Sequence, residues 1–371
     1  MDTMKHLFPI KKVREIVFPQ PPVIADRGFE VDGSNVRMNL NESPFPPSPK
    51  AIHAAVATLG SFNSYPDHGC SSLAAAVSRQ TGIPTNRISF GNGSGELLVA
   101  LAMLSIEPGD EAVVPTPTFP TCPKGVQIAA GKLVSVPLRS DGVNDVPAML
   151  GAITAKTRLF YLCTPNNPTG GTLGQADILR AIEEVPENCL LVIDEAYHEF
   201  SAHGGGPDVL ALLSSRVGPW AVTRSFSKAY CLAGLRVGYA ISSGTEIQLG
   251  LMQLRPNFNV NRVALAAATE AYADKAHLEA TLDKTIGERN RLGDGLLALG
   301  FEVFPSQANF LAAGLPTATQ VSAQDIVEKL KQGGILIQAM PWPNQRGSLR
   351  ITVSSRENND RFLSELREIL A

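Results

Sequence analysis

Nothing in this 371-residue sequence points to a metal centre, a disulfide framework or a membrane span. The five cysteines, Cys70, Cys122, Cys163, Cys189 and Cys231, are odd in number, scattered and without a CxxC pair, so reduced thiols of a cytoplasmic protein are expected. The six histidines form no zinc pattern: His198 and His203 stand five apart in a Gly-rich surround, off a shared helical face, and no metal is expected. A formal charge of −3 is too near balance to attract nucleic acid. The longest apolar segment, Leu97–Ile106, is far short of the ~20 residues that cross a bilayer. The opening stretch Met1–Arg14 carries Lys5, Lys11, Lys12 and Arg14 without the apolar run of a signal peptide, and reads as a solvated arm. There is no internal repeat, no low-complexity tract and no GxxxxGK[ST] phosphate loop, and a dinucleotide fingerprint fails at Glu96, where glycine is required.

What is present is a globular balance of 44% hydrophobic and 18% charged residues, with length for one large and one smaller domain. From about residue 85 to 240, short β-rich runs alternate with helical patterns: RISFG, EAVVP, KLVSVPL, RLFYLC, LLVID, WAVTRS and VGYAIS. Each run is nearly all apolar, as strands covered on both faces are, so an α/β domain with a mostly parallel sheet is expected. A helix over Ala264–Leu299, a helix near Ala323–Gln332, the strand pair GILIQ and SLRITVS, and a last helix near Glu357–Leu370 give a smaller α+β domain. The expected division is 46–260 for the large domain, with 1–45 and 261–371 forming the arm and small domain.

Four constellations follow strands of the large domain, where open α/β sheets gather ligands. Gly91-Asn-Gly-Ser-Gly95, ahead of a helix, suits an anion, because glycines allow close approach and a helix N-terminus offers unpaired N–H groups; a plain strand–helix turn is the competing reading. Thr164-Pro-Asn-Asn-Pro-Thr-Gly170 is turn chemistry that also sets the amides of Asn166 and Asn167 at a strand end. Asp194 ends the apolar run LLVID, where a carboxylate needs a cationic partner or becomes neutral; a helix N-cap is the alternative. In Thr223–Arg236, Ser225, Ser227 and Arg236 can grip a phosphate around Lys228, whose amine can form a Schiff base. A lone lysine is ordinarily a solvated charge, and only its neighbours mark this one.

GNGSGE, PNNPTG, DEAYHEF and SFSKAYCLAGLRVGY, in this order and spacing, resemble the fold-type I, class II pyridoxal-phosphate aminotransferases. NLNESPFPP, YPDHGCSSL and LRITVSSREN resemble the histidinol-phosphate aminotransferase family in particular, and the likeness runs over about residues 10–365. The resemblance implies pyridoxal 5′-phosphate held as a Schiff base by Lys228, which then moves the proton. It implies Asp194 on the ring nitrogen, Asn167 and Tyr197 on the ring oxygen, and Phe119 stacked on the ring. Ser94, Gly95, Ser225, Ser227 and Arg236 would hold the phosphate, with Tyr65 reaching it from the other subunit of a homodimer. Arg350, Asn41, Tyr65 and Asn167 would contact the substrate. The implied reaction moves an amino group from histidinol phosphate or an aromatic amino acid to a 2-oxo acid such as 2-oxoglutarate. The competing readings are a decarboxylase of an O-phospho amino acid on the same scaffold and a non-catalytic cofactor-binding module. The likeness also implies a cis Asn167–Pro168 bond.

The sequence departs from the family pattern at three places. Gly95 stands for an acidic residue, which matters little if only its N–H is used, and Phe119 replaces a tyrosine, which removes a hydroxyl. Gln338 stands where histidinol-phosphate enzymes carry an arginine, which weighs against a phosphate dianion as the donor's anion. Arg346 is either its substitute or a solvated loop residue, and Trp342 is a candidate cover for an aromatic or apolar donor side chain.

Overall fold

The computed structural model describes residues 35–343 and 346–370. The first strand, β1 (Val36–Arg37), belongs with the C-terminal part of the chain. The next seven form one sheet: β2 (Ile88–Gly91), β3 (Glu111–Thr116), β4 (Lys132–Pro137), β5 (Thr157–Cys163), β6 (Leu190–Asp194), β7 (Trp220–Ser225) and β8 (Gly238–Ser242). Their order is β2-β8-β7-β6-β5-β3-β4, with β8 antiparallel to both neighbours and the other pairings parallel. All seven coincide with the runs marked in the sequence.

β6, β7 and β8 are buried at every position. Alternate side chains serve opposite cores: Leu191, Ile193 and Val222 enter one apolar cluster, and Leu190, Val192 and Ala221 the other. Helices on both faces therefore explain why these strands lack polar alternation.

The smaller sheet runs β12-β13-β10-β9, all antiparallel, from β9 (Glu302–Val303), β10 (Phe310–Gly314), β12 (Gln338–Met340) and β13 (Ser348–Thr352). One face packs under the helices Ala323–Gln332 and Arg356–Leu370, with Val36 and Met38 in the same core. GILIQ is not one strand. Its first part is β11 (Ile335–Leu336), parallel to β1, and Gln338 begins β12 beside β13.

The expected helix over 264–299 is two, Arg262–Ala273 and Lys275–Ala298, broken at Asp274. The Asp274 carboxylate accepts from Ser48 Oγ at 2.5 Å, tying the break to the start of the helix Pro49–Ala57. Ala264, Ala267, Ala268 and Ala271 line one side of the first helix and sit in the core of the large sheet, as do Leu278 and Leu282 of the second. The core of the large sheet thus continues past residue 260, because small alanines let this helix lie close on its neighbours.

The carboxyl ends of β2, β5, β6 and β7 share one edge of the sheet. Thr164 N–H donates to Asp194 O at 2.9 Å and Glu195 N–H to Thr223 O at 2.8 Å, carrying the ladder one step beyond the strands. Thr352 N–H donates to Met38 O at 2.9 Å, which anchors the segment after β1 to the small sheet as it crosses this edge. Among the described residues no helix is long and apolar enough to cross a membrane, and no cluster of metal-ligating side chains exists.

Candidate active site

The edge is built from an anion cradle, a buried carboxylate, a lysine and an unpaired arginine. The helix Ser94–Ser105 begins at the end of β2, and its first-turn N–H groups have no partner within the helix. Gly93 precedes it with φ of 83°, and a Cβ there would collide with the Arg236 guanidinium. A Cβ on Gly238 would meet Ser94 N and lie 3.0 Å from Arg224 O, so the β8 glycine lets the helix end press onto the sheet. Arg236 Nη1 donates to Ser227 Oγ at 3.3 Å, and Ser227 N–H donates to Ser225 Oγ at 3.1 Å. Ser94, Gly95, Ser225, Ser227 and Arg236 thus come together as one positively biased pocket edge. Phe119, half-buried, packs beside the core that includes Cys122 and Tyr161.

Asp194 is 1% exposed. Its Oδ1 accepts from Thr223 Oγ1 at 2.9 Å and its Oδ2 from Tyr161 Oη at 3.1 Å, and it makes no ion pair among the described residues. Burial pushes its carboxyl up to about 6, against the pull of Thr223 and Tyr161. The neighbouring Glu195 differs because Arg224 pairs with it at 2.8 Å, and its carboxyl is held at about 2 despite burial. The helix that follows, His198–His203, has no side-chain cap, so Asp194 is not its N-cap.

Lys228 Nζ donates to the carbonyls of Leu40 at 3.2 Å and Asn41 at 3.0 Å. Burial and the Arg350 and Arg236 cations push its amine down to about 8. Asn41, with φ of 55°, is the hub of this wall. Its N–H donates to Thr352 Oγ1 at 2.9 Å, its Oδ1 accepts from that hydroxyl at 3.0 Å, and its Nδ2 donates to Tyr197 Oη at 2.8 Å. Asn309 Nδ2 holds the Asn41 carbonyl at 3.1 Å. Because Tyr197 Oη accepts from the amide, its own proton is left to donate into the cleft.

Arg350 rises from β13 and is 7% exposed. Nη1 donates to Asn167 Oδ1 at 2.7 Å, Nη2 to Asn39 O, and Nε has no partner. No carboxylate meets this guanidinium. Gln338 lies directly opposite it across β12–β13, so the two side chains share one face of the small sheet. Trp342 and Phe304 meet on that side at a tilt of 55° with centroids 4.6 Å apart, alongside Met340 and Leu138. Arg346 donates to the carbonyls of Pro316, Thr317 and Thr319, which commits it to that loop rather than to Gln338's place.

Two expectations change here. The Asn167–Pro168 bond is not cis; the cis bond of this turn is Thr164–Pro165. The reversal is closed by Asn166 N–H to Gly171 O and Gly170 N–H to Asn166 O, leaving the Asn167 side chain directed at Arg350. Asn166, for its part, is spent inside the turn on Thr118, Thr169 and Pro117 O. The sequence reading also missed Thr223, Tyr161, Thr352, Asn309 and Asn39. Only strand register reveals Thr223, which lies beside Asp194 on β7.

Thr352→Val leaves the Asn41 N–H and Oδ1 buried without partners and is expected to cost about 2–4 kcal/mol in urea unfolding, whereas Thr352→Ser should cost under about 1 kcal/mol. Equal losses for the two variants would mean the hydroxyl does not hold Asn41.

Residues 34–366 match the family model for aminotransferase class I and II. The histidinol-phosphate aminotransferase of Moorella thermoacetica is 35% identical over 368 residues, 98% of this chain and 94% of that protein. The aromatic amino acid aminotransferase of Streptomyces coelicolor is 36% identical over 332 residues, 90% of each chain. In space, the crystal structure of histidinol-phosphate aminotransferase from Sinorhizobium meliloti in complex with pyridoxal-5′-phosphate superposes with a TM-score of 0.87 at 29% identity, covering 97% of this chain and 96% of that one. A cleft with an anion cradle, an isolated buried carboxylate and a lysine of depressed basicity thus sits in a chain that matches one family along nearly its whole length, and the chain belongs to the class I and II aminotransferases.

Proposed function

We propose that the chain uses pyridoxal 5′-phosphate to carry an amino group from an amino donor, histidinol phosphate or an aromatic amino acid, to a 2-oxo acid such as 2-oxoglutarate. The observation that carries the reading is Lys228, an amine held near neutrality between Arg350 and Arg236. The cofactor fits the residues present. Asp194, buried without a cation, suits a protonated ring nitrogen, and the Ser94–Gly95 helix end with Ser225, Ser227 and Arg236 suits its phosphate. Tyr197 has a proton to give the ring oxygen, with Asn167 beside it, and Phe119 offers a ring face.

When bound, the cofactor supplies a sink for the electrons left behind as the donor's Cα loses its proton. Lys228 Nζ would move that proton from Cα to the cofactor's C4′ in the first half of the reaction, and from C4′ to the carbon that was the 2-oxo acid's carbonyl in the second. Lowering this amine from the ordinary lysine range to about 8 brings it closer to neutral pH, where taking up and giving back a proton are both accessible. Asp194 keeps its partner nitrogen charged, and Asn41 keeps Tyr197 oriented. A non-catalytic module has no use for Lys228 in this setting.

Arg350 binds the donor's anion, with Asn41, Asn167 and Tyr65 beside the substrate. A single guanidinium opposite the neutral Gln338 matches a carboxylate better than a phosphate dianion, and the Trp342–Phe304 wall adds apolar surface. The charge count therefore favours an aromatic amino acid over histidinol phosphate. Single-turnover absorbance titration of the holoenzyme with phenylalanine, tyrosine, histidinol phosphate and O-phosphothreonine tests this. Conversion of the cofactor to its amino form by an aromatic amino acid is expected, with Gln338→Arg shifting preference toward histidinol phosphate by about tenfold, roughly one charge-assisted contact. Loss of carbon dioxide from O-phosphothreonine without that conversion would establish the decarboxylase instead.

The same reading makes the chain a homodimer in the cytoplasm, with Tyr65 serving the other subunit's phosphate. Tyr65 is 77% exposed and stacks on Phe258 at 4.5 Å, and Ile52, Val56, Leu59 and Phe62, a little earlier in the chain, are also exposed large apolar side chains. All five thiols are free, which suits a reducing compartment; cell fractionation checks that placement. Equal mixing of Lys228→Ala with Tyr65→Ala subunits should restore activity toward about a quarter of wild type, because half of the dimers are hybrids and one site of each hybrid is intact. Hybrids no better than the parents would put Tyr65 in its own subunit's site.

In the cofactor-free protein, Asp194 at about 6 holds a proton that the unfolded chain has released. Its stabilising contribution is full below about pH 4 and is lost as pH rises through about 6. Asp194→Asn should remove this component from the pH profile of Tm, and superimposable profiles would contradict it.

A further inference from the structure

A second cavity, of about 560 Å³, lies behind β7 and β8, between the end of the helix Ser71–Thr81, the helix His198–His203 and the start of the helix Lys275–Ala298. Neither Lys228 nor Asp194 lines it. Its volume is in the range of small-molecule sites, about 300–1,000 Å³. Tyr230, Tyr239 and Tyr272 form its aromatic wall, with Tyr230–Tyr272 centroids 5.9 Å apart and Tyr239 meeting Tyr272 edge-on at 6.2 Å.

Glu199 lines the same space, is 7% exposed, and makes no ion pair within 4 Å among the described residues; one carboxylate oxygen meets its own backbone N–H, and Oε2 is buried without a partner. The nearby cation Arg224 is committed to Glu195, its guanidinium donating from Nε at 2.9 Å and Nη2 at 2.8 Å. His198 also faces Glu195, at 3.4 Å. Two buried carboxylates therefore share one guanidinium, with His198 and Lys275 as the other nearby cations, and Glu199 is the one of the two left without a close pair. Burial pushes the Glu199 carboxyl above its ordinary range, as befits a carboxylate lacking its cation. The rings already draw a positive charge: Lys275 Nζ lies 4.7 Å from the Tyr272 centroid, held at the rim by Gln80 Oε1 at 2.5 Å.

We propose that this cavity is a second ligand site, for a small quaternary or alkylated ammonium compound seated on the tyrosine faces with its charge against Glu199. Aromatic faces attract cations through their quadrupole, and desolvation strengthens the attraction, so a ring corner closed by a carboxylate selects charge as well as shape. The ligand adds a close counter-charge at Glu199, which has Lys275, His198 and Arg224 nearby but no ion pair within 4 Å among the described residues. The site is separate from the transamination cleft, and its existence does not depend on which donor that cleft accepts.

Choline is the probe, because a quaternary nitrogen cannot condense with the cofactor, and dimethylbutanol is its uncharged carbon isostere. Calorimetric titration of the holoenzyme is expected to show one saturable choline site per subunit and no site for the isostere. Glu199→Gln should weaken choline at least tenfold while leaving the cofactor's absorbance unchanged. If that variant does not fold, Tyr272→Leu carries the test, with the same loss expected. No saturable choline binding by the wild type, equal binding of the isostere, or unaltered affinity in a folded variant would each overturn the proposal.

Discussion

A carboxylate at the end of a strand buried on both faces must find a positive charge or give up its own. Asp194 is in that position, and the site is arranged around the charge it lacks. Thr223 and Tyr161 supply hydrogen bonds but no cation, so burial holds its carboxyl near 6, and the proposed partner for it is the protonated ring nitrogen of the cofactor. One residue later, Glu195 meets Arg224 and is held at about 2. The same strand end thus yields one carboxylate reserved for a ligand and one spent on the protein.

The second dependence is mechanical. Asn41 bonds to Lys228, Tyr197, Thr352 and Asn309 at once, so the segment after β1, the large sheet and the small sheet converge on one side chain and its backbone. Lys228 is drawn to a carbonyl whose own position is fixed by Asn309, and the Tyr197 proton is oriented by an amide that Thr352 has already oriented. Arg350, two residues before Thr352 on the same strand, enters the cleft from that wall. A shift of the small sheet would therefore move the Arg350 guanidinium and the Tyr197 proton together.

Much of this was legible in the sequence. Fully apolar runs marked all seven strands of the large sheet, because burial on both faces leaves no polar alternation to confuse the pattern. The cradle and Lys228 were legible because glycine, serine and arginine cluster within single loops. The short strands of the small sheet were less so: GILIQ carries one hydrophobic signal but serves two different sheets. The helix over 264–299 gave no sign of its break, since the partner of Asp274 is Ser48, more than two hundred residues away in sequence.

The sequence by itself determined which residue types stand at the strand ends: an amine, a terminal strand carboxylate, a glycine- and serine-rich helix start with Arg236, and Arg350. Those depend on residue type and local backbone, which a chain carries wherever it folds. Tertiary structure alone decided their charge states and their partners. Whether Asp194 is lonely and Glu195 paired, whether Tyr197 gives or accepts a proton, and whether Glu199 faces a cavity or a cation are settled by strand register and burial, which bring together groups that the sequence keeps far apart.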